Sequence, residues 1–320
     1  KVMGGEVEVI TVCHPESDAI SFRVQSVLIA SGQLSVGLRF PYPSGMHADM
    51  ACNWETPEKH SSRLESLGNQ SALIERKLDT TRYFTKLQWA GDLIIKETEK
   101  HSYELSSTSE ILDLSIQFSP RQTKEKLETF KPTRLLASES WQNFWLSGGA
   151  VDFSGSSDPR AAELERRIVL SQYLTRAQCA GAQPPQETGL TYNSWYGKFH
   201  LEMAWWHMTH FFLWNRPGLM EESLRWYEIA ADKAGQTALR QGYEGIRWQK
   251  MTDPFGNDSP SSVGSFLIWQ QPHLIYFAEL YYRQFPEPAT LNRFKDLVFA
   301  TADFMASYAW YNPEKSRYEL

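Results

Sequence analysis

Asn193, Trp195, Lys198, His200 and Glu202 crowd into one short part of the stretch GLTYNSWYGKFHLEMAWWHMTHFFLWNRPG, which runs from Gly189 to Gly218. An amide, an ammonium, an imidazole and a carboxylate beside a large flat ring form a set suited to a polyhydroxylated ligand. The ring covers an apolar ring face, and the polar groups exchange hydrogen bonds with hydroxyls. A second set of the same kind, Arg247, Trp248 and Lys250, follows Gly242-Tyr243, and a third, Gln270, Gln271 and His273, sits inside an aromatic run. These are the candidate substrate-binding residues, with Glu202 as the candidate catalytic carboxylate. Trp195 or Trp248 would supply the stacking platform, and Lys198 and Arg247 the charged donors.

Other chemistries fit less well. His200, Glu202, His207 and His210 could be read as metal ligands, since His207 and His210 fall on one helical face. Nothing matches a zinc signature such as HExxH, so buried histidines bonded to neighbours are the better reading and no metal is expected. Glycoside cleavage with inversion needs an acid and a base roughly 6.5–9.5 Å apart. Glu202, Glu244, Asp253 and Asp258 are the carboxylates in candidate loops, but DPFGND is turn chemistry, and only Glu202 sits among sugar-binding residue types. There is no Ser-His-Asp order, GxSxG elbow or phosphate-cradling glycine loop, so no cofactor is implied. A net charge of −6 and a pI near 5.8 supply no basic patch for nucleic acid. The aromatic run is too short and too rich in His and Glu to span a bilayer. The three cysteines, Cys13, Cys52 and Cys179, have neither metal-ligand nor CxxC spacing.

The elements that must position these residues change character along the chain. Up to about residue 130 the pattern is short alternating segments, VEVITVCHP, ISFRVQSVLIA, QLSVGLRFPY, TRYFTKLQWA, DLIIKETEKHSYELSS and ILDLSIQFS. Period-two spacing with β-branched residues makes these antiparallel strands, and a β-sandwich is the expected form over 1–130. The segment from Asn53 to Gly68 reads as a charged loop. Residues 131–157 read as a linker with a short helix closed by Gly148-Gly149. From 158 to 320 the periodicity is helical, with seeds near 160–182, 198–214, 218–241, 262–284 and 289–311. Amphipathic and all-round apolar helices alternate, and a helix apolar on every side is expected to be buried on every side. That alternation predicts the first part of an (α/α)6 toroid. The abrupt ends, with no Met at the start, suggest a piece of a longer protein.

The motifs of this half resemble those of glycoside hydrolase family 65 and its six-hairpin relatives. Gly189-Leu190, Tyr196-Gly197 and Glu202 match the family's run at the start of an inner helix. Gly242-Tyr243, Gly245, Arg247 and Trp248 match its loop two helices on. The chain departs from that pattern at Phe199-His200 and at Gln249-Lys250. The resemblance covers essentially the whole chain and implies a glycoside hydrolase acting by inverting acid/base chemistry on an oligosaccharide. Phosphate is a further partner if the activity is that of a disaccharide phosphorylase, and no nucleic acid or membrane partner is implied. The family's general acid, a Glu one or two hairpins further on, matches no position here and is expected beyond Leu320. A non-catalytic carbohydrate-binding protein on the same fold is the rival reading.

Overall fold

The computed structural model describes every residue except 1–3, 45, 47–49, 188–194, 260 and 262, together with all side chains of the described residues but that of Tyr196. Two compact units emerge, one running to Ser44 and resuming from Cys52 to Leu146, the other made of Gly45–Ala51 and Ser147–Leu320.

In the first unit the period-two runs become strands. They are β1 (Glu8–Cys13) and β2 (Ala19–Gln25), then, after a single helical turn α1 (Val27–Ala30), β3 (Val36–Arg39) and β4 (His60–Gly68). β5 (Ser71–Leu78), β6 (Thr81–Ala90), β7 (Ile94–Glu99), β8 (Ser102–Ser106) and β9 (Ile111–Ser119) follow. Six of them form an antiparallel sheet in the order β1-β2-β9-β6-β5-β4, and the other three form a second sheet, β3-β8-β7. Ile74, Leu87 and Leu114 of the larger sheet share one hydrophobic core with Tyr103 and Leu105 of the smaller. Each such side chain contributes about 1.5–3 kcal/mol when fully buried.

The opposite face of the larger sheet is covered by α2 (Phe130–Leu146), which packs on β1, β2 and β9. Its buried residues Phe130, Thr133, Ala137 and Phe144 recur at helical spacing. Beneath them the hydroxyls form a chain: Ser115 donates to Ser21 at 2.6 Å, Ser21 to Thr133 at 3.1 Å, and Thr133 to Thr129 O at 3.0 Å. Arg23 grips Asp113 through two bonds of 2.7 and 2.6 Å, with its guanidinium 4.9 Å from the Phe130 ring centre. The helix expected within a linker is therefore a structural part of the first unit. It starts at Phe130 because its apolar stripe has a sheet face to bury against.

Two strand expectations change. VLIA is a helical turn, because the Ser26 hydroxyl caps it, accepting from Leu28 N–H at 3.2 Å. The charged segment from Asn53 to Gly68 becomes strand β4 from His60 onward. As the outer strand of its sheet it pairs only with β5 among the described residues, and its solvent-facing residues carry charge at no cost and dilute the apolar alternation.

The second unit is helical. α3 (Ala161–Cys179) is followed by the two-residue strand β10 (Phe199–His200), a 3-10 turn at Leu201–Met203 and α4 (Ala204–Leu213). Next come α5 (Glu221–Arg240), the short β11 (Met251–Thr252), α6 (Pro272–Gln284), α7 (Pro288–Tyr308), and a hairpin of β12 (Trp310–Asn312) and β13 (Arg317–Glu319). α3 packs on α4, α4 on α6, α6 on α7, and α7 on α5. The fourth helix begins at Pro272 rather than near 262, because proline is pre-set for a first helical turn and cannot continue one.

α4 is not buried on every side. Ala204, Met208, Phe211 and Phe212 enter the core, but Trp206 is 54% and Leu213 67% exposed. The loop after α5 is pinned to α7 at Gly245, whose φ of +68° and close approach exclude a side chain, since a Cβ there would lie 2.1 Å from Ala300 O. No helix among the described residues is long and apolar enough to cross a membrane.

Candidate functional site

Two loops of the second unit make the site, and a pairing of two residues joins them. Phe199 faces Thr252 and His200 faces Met251 across β10 and β11, and Glu202 N–H extends the pairing to Lys250 O at 3.2 Å. That register brings the Lys250 ammonium to 2.6 Å from Glu202 Oε2. His200 Nε2 approaches the same oxygen at 3.2 Å and Glu187 Oε2 at 2.8 Å. The Lys250 ammonium also lies 4.7 Å from the centre of the Trp195 ring, which meets the His200 ring edge-on. Trp195 has φ +54°, a left-handed conformation that a bulky residue holds only where its surroundings impose it.

Burial, and then the Lys250 charge, lowers the His200 pKa to about 4, although Glu202 acts in the opposite sense. The ring is therefore neutral near pH 7, and its Nε2–H is donated to Glu202. Glu187 Oε2 lies close to that nitrogen but off its N–H axis, and neither it nor His200 Nδ1 has a hydrogen-bond partner among the described residues. Burial, and then the Glu202 charge, raises the Glu187 pKa, while Lys250 opposes the shift. Buried polar atoms without protein partners are uncommon and point to a ligand or water.

Other predicted residues hold this arrangement rather than line it. His273 Nδ1–H donates to Leu201 O at 3.1 Å, fixing the turn that carries Glu202. Gln271 accepts from Trp248 N–H at 3.2 Å and donates to Trp248 O at 2.7 Å, and Gln270 donates to the same carbonyl at 3.0 Å. Trp248 is not a stacking platform: it is buried edge-on to Tyr227, and its indole N–H donates to Thr301 at 3.0 Å. Arg247 is buried too, with Nε lacking a hydrogen-bond partner among the described residues. Its buried guanidinium spans the loop between Gln241 and the Ser265 carbonyl. Sequence alone does not distinguish a Trp or Arg that meets a ligand from one that closes a loop around itself. Lys198 is half-buried at the end of the 3-10 turn Trp195–Gly197, its backbone N–H 3.3 Å from Trp195 O. Asn193 lies outside the described residues.

Lys250 also lines a cavity of about 350 Å³ with Gln249, Ser259, Ser261 and Ser265, where Asp258 is engaged by Arg240 at 2.5 Å. Gln249 Nε2 is buried without a partner among the described residues. Gln249 and Glu187 are the site residues that sequence reasoning missed. Glu187, two positions before Gly189, could have been found by the criterion that selected Glu202, a carboxylate at the mouth of the same loop. Among the described residues no three His, Cys, Asp or Glu groups converge in a way that could hold a metal ion.

No protein-family model matches the chain, and no curated protein matches it. Solved structures do. One, provisionally described as a kojibiose phosphorylase from the human microbiome, aligns over 98% of this chain with a TM-score of 0.63 at 10% sequence identity. The chain spans 45% of that structure's length. At such identity the likeness shows the fold: antiparallel sheets followed by helices, in a glycoside hydrolase family 65-like arrangement.

Proposed function

We infer that this chain belongs to a carbohydrate-active enzyme of the six-hairpin class that cleaves a glycosidic bond of an oligosaccharide, built as a β-sandwich followed by part of an (α/α)6 toroid. The observation that carries the reading is the Glu202–Lys250–His200 cluster beside Trp195, with polar atoms around it that have no partner among the described residues. Glu202 Oε2 is already shared by Lys250 and His200, so Oε1 is the acceptor for a sugar hydroxyl. Glu187 and Glu202 reach one imidazole nitrogen, which is too close for the roughly 6.5–9.5 Å of an inverting acid–base pair. In this reading they bind and orient the sugar, and Glu202 is a substrate-binding rather than a proton-transferring carboxylate.

A second reading, phosphorolysis in place of hydrolysis, is favoured by the cavity that Lys250 shares with Gln249 and three serines, a donor-rich lining suited to phosphate. Steady-state assays of the full protein on α-linked disaccharides, with and without phosphate, separate the two. Glu202→Gln should lower kcat/KM about 10- to 100-fold, the loss of a hydrogen bond to a charged group, and should also lower the melting temperature, because the buried Lys250 ammonium loses its counter-charge. An unchanged rate would return Glu202 to a purely structural part, and no turnover of any glycoside by the unaltered protein would favour the non-catalytic binder.

A further inference from the structure

The first unit contains a buried cation that forms no ion pair among the described residues. Arg76 is fully buried on β5, and its cross-strand neighbours are Ser62 of β4 and Tyr83 of β6. Its guanidinium donates to neutral acceptors: Nη1 to Ser62 Oγ and to His101 Nδ1 at 3.3 Å, Nη2 to His60 Nδ1, and Nε to Tyr83 Oη at 3.4 Å. The Phe40 ring lies 4.9 Å away. No carboxylate forms an ion pair with it among the described residues. A buried charge without an opposite partner carries a desolvation cost that proteins normally offset by pairing.

Arginine can only donate, so both imidazoles must accept at Nδ1 and carry their proton on Nε2. His101 spends that proton on Pro57 O at 2.7 Å. The Nε2–H of half-buried His60 has no partner among the described residues. Both rings line a cavity of about 260 Å³ with Arg39, Asn53, Trp54, Glu99, Lys100 and Ser102. Arg39 and Lys100 are exposed and make no ion pair among the described residues; the Arg39 guanidinium rests 4.8 Å from the Trp54 ring centre. Glu99 is the single carboxylate in the lining. Nearby, Asp79 is held by the Tyr42 hydroxyl at 2.8 Å, and Glu58 acts on His60 from a distance.

We propose that this cavity is an oxyanion site, taking a phosphate group either as free phosphate or as the phosphate of a small sugar. Arg39, Lys100 and His60 Nε2–H would donate to it, and Arg76 would supply buried positive charge through the two imidazoles. The size agrees: it falls below the roughly 300–1,000 Å³ of pockets for drug-sized ligands, and a charged oxyanion is what a cluster of donors with one acidic neighbour selects. Burial, and then Arg76 and His101, lowers the His60 pKa to about 4, with Glu58 opposing. An anion at Nε2 would raise it. The site is independent of the reading of the second unit and survives its failure.

The test is titration of the full protein with inorganic phosphate at pH 7 and constant ionic strength, followed by calorimetry and by imidazole nitrogen NMR. The His60 and His101 signals are assigned from His60→Gln and His101→Gln. Saturable binding that moves those two signals is expected. Arg39→Gln with Lys100→Gln should weaken it at least tenfold while leaving the ligand-free melting temperature unchanged. A hexose phosphate that binds more tightly than phosphate through the same residues identifies the sugar-borne source, and weaker binding identifies the free ion. Absence of saturable binding overturns the proposal, as does an affinity unaltered in the double variant. Phosphate that moves only histidine signals of the second unit also overturns it, and so does a neutral hexose that binds as well as its phosphate.

Discussion

The molecule builds two clusters of cations, imidazoles and acceptors by opposite means. Around Arg76 the partners on β4 and β6 sit on adjacent strands in register, Ser62 opposite Arg76 and Arg76 opposite Tyr83, and His101 joins them from the turn between β7 and β8 of the second sheet. The members on β4, β5 and β6 are held by their neighbours in the sheet. Around Glu202 the partners come from loops joined by the two residue pairs of β10 and β11, and their geometry depends on braces outside the cluster: His273 on Leu201 O, and Gln270 and Gln271 on Trp248. A sheet-built cluster should lose little when one contact is removed. A loop-built cluster should fail when a brace is removed, even one that no ligand touches.

The contrast is broken most directly at Trp248. Trp248→Ala removes a buried ring packed on Tyr227 and bonded to Thr301, and should cost about 3–5 kcal/mol in denaturant unfolding. It should also abolish whatever ligand binding the Glu202 cluster supports. A cost below about 1 kcal/mol would mean that the loop is held elsewhere and that the brace account is wrong.

How much of this was legible beforehand depends on which signal each feature leaves in the sequence. β6 and β9 were readable because alternation survives where one face of a strand meets an apolar core. β4 was not, since His60, Ser62 and Leu64 face inward on an outer strand whose other side is charged. The residue types around His200, Glu202 and Lys250 were legible, whereas the roles of Trp248 and Arg247 depend on burial, which composition does not encode. The Arg76 cluster left no local mark: its members at 60, 62 and 76 meet through strand register, and His101 reaches them from a turn of the other sheet.

The next effect in size is on pH dependence. His200 has a folded pKa of about 4 against an ordinary value of 6.5, so between these values the unfolded chain binds a proton that the native state refuses. Stability from this group is therefore complete above pH 6.5 and is lost as pH falls toward 4, by up to about 3 kcal/mol. Glu187, with its raised pKa, works in the opposite direction. Unfolding measured at pH 7 and pH 5 should show a larger drop in the unaltered protein than in His200→Asn. Equal drops would show that His200 is not the titrating group.

Gln271→Leu probes the brace without emptying the core. It leaves Trp248 N–H without its partner and removes one of two donors to Trp248 O, at a cost of about 1–3 kcal/mol by thermal or denaturant unfolding. Ligand binding at the Glu202 cluster should weaken with it, although Gln271 is fully buried. Unchanged binding would confine Gln271 to stability and separate the brace from the site.

The smallest effect belongs to the sheet. Ser62 stands between two groups, donating its hydroxyl proton to His101 Nδ1 at 2.7 Å and accepting from Arg76 Nη1. After Ser62→Ala the guanidinium still reaches Ser61 O at 3.3 Å and His101 Nδ1 at 3.3 Å, and β4 still pairs with β5 through its backbone. The loss is then the two hydrogen bonds of one hydroxyl, each of whose partners keeps another, inside a framework that keeps its shape, about 0.5–1.5 kcal/mol in denaturant unfolding. His101 should keep its proton on Nε2, since Pro57 O still accepts it, and imidazole nitrogen NMR reads that tautomer directly. A loss above about 3 kcal/mol, or a change of tautomer, would show that a sheet-built cluster is as brittle as a loop-built one.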